Sequence, residues 1–289
     1  MTMSTLSWEQ AVQWLRDKPD QQELVRACYY DDPLLEAAER FWQSLEWKSI
    51  EVLLPPAHGG RALDLGAGRG ISSYALAKEG WRVSALEPDP STLVGSGAIQ
   101  ALARDSGLQI EVVTEFSEKL PFADGSFELV NCRQVLHHAR DLPQTCREVF
   151  RVLKPGGHMI ATREHVISKP EDLQVFLKSH PLHHLYGGEN AFLLSEYTGA
   201  IVGAGLQLNK VIAPFDSPIN YFPMTEAQWV AICTTPIAKR LGQGFTEKLF
   251  SRKHGLGELL VPLLAKVVNW RNKSPGRLYS FVAEKPRHD

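Results

Sequence analysis

The chain has 289 residues, 44% of them hydrophobic and 22% charged, with a formal net charge of −2. That length suits one large α/β domain with attachments or two small ones, and the near-neutral balance argues against nucleic acid as a partner. No apolar run reaches the roughly 18 residues of a membrane span, and the start, MTMSTLSWEQ, lacks the basic and apolar pattern of a signal peptide. Four scattered cysteines (Cys28, Cys132, Cys146, Cys233) show no metal spacing and fit a reducing compartment, so the expected location is cytoplasmic.

Residues 1–57 read as a helical N-terminal cap. Ala11, Val12 and Leu15 mark a helix over Ser7–Arg16, and Asp20–Cys28 reads as a second. Asp32 and Pro33 suit the cap and first turn of a helix over Leu34–Leu53. Its Leu34, Leu35, Ala38, Phe41, Trp42 and Leu45 recur at helical spacing, and the segment reads either as helices packed on the sheet or, with Tyr29 and Tyr30, as part of a cap over a ligand. Pro55, Pro56, Gly59 and Gly60 then punctuate the boundary with a domain over residues 58–289.

The organising stretch is Ala62–Gly70, ALDLGAGRG. Its apolar start reads as a buried parallel strand. The glycines follow the strand's carboxyl end and precede a helix-like segment, Ser72–Lys78, which is where an open α/β sheet binds ligands. Gly66, Gly68 and Gly70 let a ligand approach the backbone, and free N–H groups at the helix start can hold an anionic end. A second strand, Trp81–Leu86, ends in Glu87, Pro88 and Asp89. A carboxylate about 20 residues beyond the glycine loop suits the two hydroxyls of a ribose. The dinucleotide fingerprint would need glycine at position 71, where Ile71 stands, so the ligand is read as a nucleoside other than NAD.

These residues, with LPFADGSFELV at Leu120–Val130, LHHARDL at Leu136–Leu142 and VFRVLKPGGHMI at Val149–Ile160, resemble the class I S-adenosylmethionine-dependent methyltransferases. The nearest likeness is to the small-molecule branch that includes the quinone-biosynthesis enzymes. It is strong over Ala62–Arg163 and weak over Ser195–Pro214 and Arg277–Lys285. The resemblance implies a Rossmann-like, seven-stranded, mostly parallel sheet whose last strand is antiparallel. It implies S-adenosylmethionine as cofactor, held by Asp64, Gly66, Ala67, Gly68, Gly70, Glu87 and Pro88. Family members usually place an acidic side chain after the third strand, here Ile110–Val113, against the adenine amino group. In this chain that position falls on Phe116, with Ser117 and Glu118 beside it, so all three are candidates and the choice among them stays open.

The fourth strand, Phe127–Cys132, ends in Asn131, Cys132, Arg133 and Gln134, which the topology puts beside the cofactor's reactive end; Cys132 and Arg133 join the candidate cofactor residues. Of His137 and His138, one packs and the other faces the mouth of the site; the resemblance favours His138. Asp141 caps a helix over Pro143–Val152, and the tight turn Lys154–Gly157 leads to a fifth strand, His158–Arg163. Residues 164–190 hold His165, His180, His183, His184 and Glu189. Pro181 interrupts the run, so a substrate-facing polar loop is expected and a metal site is not; His138, His183 and His184 are the candidate catalytic bases.

Ser195–Ala204 reads as a helix, Leu206–Pro214 as a sixth strand and Arg277–Glu284 as the last. Between them residues 215–275 form a helical insertion with eight basic residues against four acidic ones. Its helix Leu256–Asn269 carries Leu259, Leu260, Leu263, Leu264, Val267 and Val268. It reads either as a brace packed on the sheet or as a lid, with Lys248, Arg252 and Lys253 attracting an acidic or amphipathic small-molecule acceptor. The expected function is methyl transfer to an oxygen, nitrogen or carbon nucleophile; the alternative is a non-catalytic cofactor-binding module. Neither the accepting atom nor the oligomeric state is legible in the sequence.

Overall fold

The computed structural model describes residues 6–252 and 255–287; Lys253, expected in the insertion's basic face, and the first five residues of the expected cap lie outside them. The sheet is built from β1 (Arg61–Leu65), β2 (Arg82–Leu86), β3 (Ile110–Val113), β4 (Phe127–Arg133), β5 (Leu153–Ile167), β6 (Phe192–Leu193), β7 (Gln207–Ile212) and β8 (Arg277–Glu284). Their order across the sheet is β3-β2-β1-β4-β5-β8-β7, with β6 paired to β5. The neighbours from β3 to β5 run parallel, while β8 runs antiparallel to both β5 and β7. This is the expected architecture with one two-residue strand added.

Strand alternation sorts the core into two layers. Leu63 and Leu65 pack with Val130, Met159 and the helix Leu142–Val152. Ala62, Leu129, Ile160 and Val282 face the other layer, with Phe41 and Trp47 from the N-terminal helices and Tyr74 and Leu76 from Ile71–Lys78. Sheets covered on both faces give near-continuous apolar strands, which is why β1 and β4 lack a surface strand's alternation.

The N-terminal region contains helices Trp8–Arg16, Gln22–Ala27, Leu34–Gln43 and Leu45–Glu51. The single helix expected over Leu34–Leu53 is broken at Ser44, which takes an extended conformation; its hydroxyl accepts the Trp47 N–H at 3.1 Å. Serine offers the backbone this local alternative, so it starts a new helix instead of continuing the old one. Asp32 does not cap the helix that follows it. Its carboxylate is drawn to Arg16 and Arg69 instead.

The insertion holds helices Pro218–Tyr221, Glu226–Leu241, Gln243–Phe250 and Leu256–Arg271. The last packs Val261 and Ala265 against Trp229 and Val230, but Leu256, Leu259, Leu263, Val267 and Trp270 are exposed. Among the described residues no helix is long and apolar enough to cross a membrane.

Candidate active site

Strand order reverses between β1 and β4: β2 lies on one side of β1, β4 on the other. The chain therefore leaves the two carboxyl ends in opposite directions and opens a crevice between them. A cavity of about 650 Å³ lies there, within the usual range for small-molecule sites. Gly66, Ala67, Gly68, Glu87 and Pro88 line one end, His137, His138, His165, His180 and Glu189 the other.

At the first end the loop is shaped by left-handed glycines, with φ of 63° at Gly66 and 54° at Gly68. A Cβ on Gly66 would strike Val135 at 2.7 Å, whereas one on Gly68 would meet nothing nearer than the Val94 carbonyl at 4.0 Å. The backbone at Gly68 thus faces open space that any side chain would fill. Glu87 braces the loop from β2: its carboxylate accepts the Gly68 N–H at 2.8 Å and the Asp89 N–H at 3.0 Å. Burial pushes the Glu87 carboxyl above its ordinary value despite those two bonds. Asp64 is more deeply enclosed; it accepts from the Ser73 hydroxyl at 2.6 Å and the Asn131 amide at 2.8 Å, and burial pushes it up to about 6. These features fit a nucleoside ligand: an open backbone edge, a carboxylate beside it and a low-dielectric floor.

Phe116, Ser117 and Glu118 also line the cavity, with the Arg140 guanidinium 5.5 Å from the Phe116 ring centre. Arg133 lines it too, but its guanidinium is held by the buried Glu46 at 2.7 and 3.2 Å, so its charge is already paired. Two expected cofactor residues are not in the wall. Cys132 alternates with Arg133 along β4 and points into the core with Leu63 and Met159. Gly70 backs onto Ile99, which a Cβ there would meet at 3.2 Å; its φ of 83° serves the entry to the helix Ile71–Lys78.

At the second end, left-handed Gln134 (φ 57°) turns the chain out of β4 into the short helix Leu136–His138. His137 is buried and His138 exposed, and both line the cavity. His137 Nδ1 lies 2.7 Å from Glu164, whose carboxylate also accepts the Val135 and His137 backbone N–H groups. His138 Nδ1 is 3.0 Å from the Gly188 carbonyl, and His165 Nδ1 is 2.8 Å from the Gly276 carbonyl. A carbonyl only accepts, so each of these imidazoles carries its hydrogen on Nδ1 and keeps Nε2 free. Burial holds His137 well below its ordinary value and His165 down to about 3, so both are neutral.

His183 and His184 are absent from the lining. They occupy the short helix His183–Tyr186, and His184 packs edge-on against Trp14 on the N-terminal helix Trp8–Arg16. The cavity wall also takes residues that sequence reasoning left out: Trp8, Leu15 and Leu24 from the N-terminal helices, and Arg69 from the loop itself. Glu164 lies behind the wall and was missed as well. In the sequence it stood just past the expected end of the fifth strand, at Arg163, among polar neighbours that gave it no signal of its own. None of residues 215–275 lines the cavity among the described residues.

The methyltransferase domain family matches residues 63–161, which include the glycine loop, Glu87 and His137. The ubiquinone biosynthesis O-methyltransferase of Ralstonia nicotianae is 27% identical over 188 residues, 60% of this chain and 78% of that one. The demethylmenaquinone methyltransferase of Chlorobaculum tepidum is 32% identical over 120 residues; the match spans 41% of this chain and about half, 47%, of that one. Among solved structures, a putative sarcosine dimethylglycine methyltransferase from Galdieria sulphuraria superposes with a TM-score of 0.56 at 19% identity, covering 90% of each chain. That likeness speaks for the fold alone. The matched methyltransferase domain, whose span contains the open glycine backbone and its bracing carboxylate, and the methyltransferase relatives support an S-adenosylmethionine-dependent methyltransferase enzyme.

Proposed function

We propose that the accepting atom is a hydroxyl oxygen of a small molecule seated against His137, His138 and His165. The observation that carries this is the single cavity with two chemically different ends, a glycine-backbone cradle and a group of imidazoles. Gly66, Ala67, Gly68, Asp64 and Glu87 would hold S-adenosylmethionine, with the free lone pairs of Glu87 on the ribose hydroxyls and Ser117 or Glu118 on the adenine edge. When bound, the cofactor supplies a methyl group activated by its sulfonium. The protein orients and dries the site: Trp8, Leu15 and Tyr30 wall it from the N-terminal side.

His138 takes the proton in this reading. Its Nδ1–H is engaged by the Gly188 carbonyl, leaving Nε2 as an acceptor, and its exposure gives the proton a path to water. A hydroxyl needs such a base, whereas a carbon activated by its own substituent does not. The Ralstonia relative, an O-methyltransferase, supports an oxygen acceptor. Residues 1–57 act as the cap, and 215–275 form an insertion that would have to move to serve as a lid.

The test joins binding to product analysis. Gly68→Val, at φ 54° with open space ahead of it, should abolish S-adenosylmethionine binding in calorimetry. Methyl-labelled cofactor offered with hydroxylated, amine and activated-carbon acceptors should yield O-methyl products. N- or C-methyl products alone would overturn the reading, and cofactor binding without transfer to any acceptor would favour the non-catalytic module.

A further inference from the structure

Two imidazoles and a carboxylate come close together at the imidazole end of the cavity, with His180 Nε2 3.7 Å from the same carboxylate. His137 has given its Nδ1–H to Glu164, and His165 has given its Nδ1–H to the Gly276 carbonyl. Each therefore presents a bare Nε2 lone pair. Glu189, 9% exposed, has one carboxylate oxygen hydrogen-bonded by the Tyr186 hydroxyl, while the other lies 3.8 Å from His137 Nε2, too far for a hydrogen bond. One ligand atom from each of His137, His165 and Glu189 lies within 4.8 Å of the other two. Two neutral imidazoles and a carboxylate gathered this closely would be drawn together by a cation among them.

We propose that His137, His165 and Glu189 form a site for a divalent first-row transition metal, with Zn²⁺ as the simplest occupant. Two imidazoles and a carboxylate make a common ligand set for such ions, and three protein ligands leave positions open toward the cavity. The supports around them have the form that metal ligands require. A histidine ligand is fixed by a carboxylate or carbonyl on its other nitrogen, and Glu164 and Gly276 fill those roles here. Glu164 is itself locked by two backbone N–H groups, at 3.1 and 3.0 Å.

The geometry is held by three separate segments. Gln134 turns out of β4 to bring in His137, and Glu189 follows the left-handed Gly187. A register shift between Ala161 and Glu164, at left-handed Arg163, re-aims β5 so that His165 joins them. Tetrahedral ligands at about 2.1 Å from zinc stand roughly 3.4 Å apart, so His137 and Glu189, at 3.8 Å, need to close by about 0.4 Å and the widest pair, within 4.8 Å, by up to about 1.4 Å. Resting on the hydroxyl-acceptor reading above, an open coordination position would take the acceptor oxygen and favour its alkoxide or phenolate.

Tag-free full-length chain, stripped with a chelator, should bind one equivalent of Zn²⁺ in calorimetry. It should also develop the visible ligand-field bands of low-coordinate Co²⁺. Glu189→Gln and His165→Gln should each weaken Zn²⁺ binding at least tenfold and shift the Co²⁺ spectrum. Glu164→Gln, outside the ligand set, should weaken it about 10- to 100-fold, while His158→Gln should leave it unchanged. Near-ultraviolet circular dichroism checks that each variant is folded. Absence of stoichiometric Zn²⁺ or Co²⁺ uptake by the wild-type chain would overturn the site, as would unaltered binding in folded Glu189→Gln and His165→Gln. S-adenosylmethionine binding by the stripped chain and analysis of the methylated product are measured separately, so loss of the metal site leaves the methyl-transfer reading to stand or fall alone.

Discussion

Replacing Glu87 by alanine tests the cofactor end of the cavity most directly. In the folded chain this carboxylate already holds the Gly68 and Asp89 N–H groups at 2.8 and 3.0 Å. Its remaining lone pairs would meet the ribose diol. Alanine removes the partner of two hydroxyls that become buried on binding and frees a backbone N–H in the loop they approach. Hydrogen bonds to a charged group are worth about 1.5–3 kcal/mol, so the loss in affinity should be roughly ten- to hundredfold. Titration calorimetry with S-adenosylmethionine and with S-adenosylhomocysteine should show the same loss, because the diol is common to both and the sulfonium is not. A change below twofold would refute the reasoning and return Glu87 to a purely structural brace. Acidity adds a second check. Burial raises the carboxyl's pKa, and protonation removes an acceptor, so wild-type affinity should fall on acidification starting at a higher pH than for an ordinary glutamate. The alanine variant should lack that dependence.

Asp64 gives a stability prediction. Its pKa is raised from an unfolded value near 4 to about 6, so its contribution is fully present below the unfolded value and lost as pH rises through about 6. Asp64→Asn should therefore be more stable than wild type at pH 8, by on the order of 2 kcal/mol, and flatter between pH 4 and 6, read from urea unfolding. The partnerless Asn131 Oδ1 can turn to accept from the new amide; a variant less stable at pH 8 would contradict this. His138→Gln should lower turnover on a hydroxylated acceptor by about 10²–10⁴ while cofactor affinity holds, and His184→Gln should do neither. Full turnover in the first variant would send the proton elsewhere.

The glycine loop, Glu87 and the succession of strands along the chain were legible because each rests on local pattern: an apolar run, a turn chemistry, a spacing. β6 was too short to leave a pattern, and Ser44 broke a helix whose apolar spacing ran straight through it. The imidazole end was only half legible. His165, His180 and Glu189 stood out as residue types, but the carboxylate that orients His137 is 27 positions away, at Glu164. The bulge that brings His165 to the site depends on pairing between β5 and β8, more than a hundred residues apart in the chain. In the insertion, periodicity correctly marked apolar positions on Leu256–Arg271, yet Leu259, Leu263 and Val267 face outward. A repeat reveals that a helix has an apolar face; it is silent on what covers that face.

Arg69 sits between Gly68 and Gly70, and its guanidinium is held by the segment at residues 29–32. It donates to the Tyr29 and Asp31 carbonyls at 2.9 and 3.0 Å and to the Asp32 carboxylate at 2.5 Å. The loop proposed to cradle the cofactor and the segment beside it are thus fastened by one side chain. Thermodynamic reciprocity follows: whatever order the segment lends to the loop, a bound ligand must lend back to the segment. Each tenfold of affinity gained through that clasp returns about 1.4 kcal/mol of resistance to local opening at residues 29–32. If the proposed cradle holds the cofactor, filling it would tighten residues 29–32, and the acceptor would meet a different entrance after the cofactor than before it.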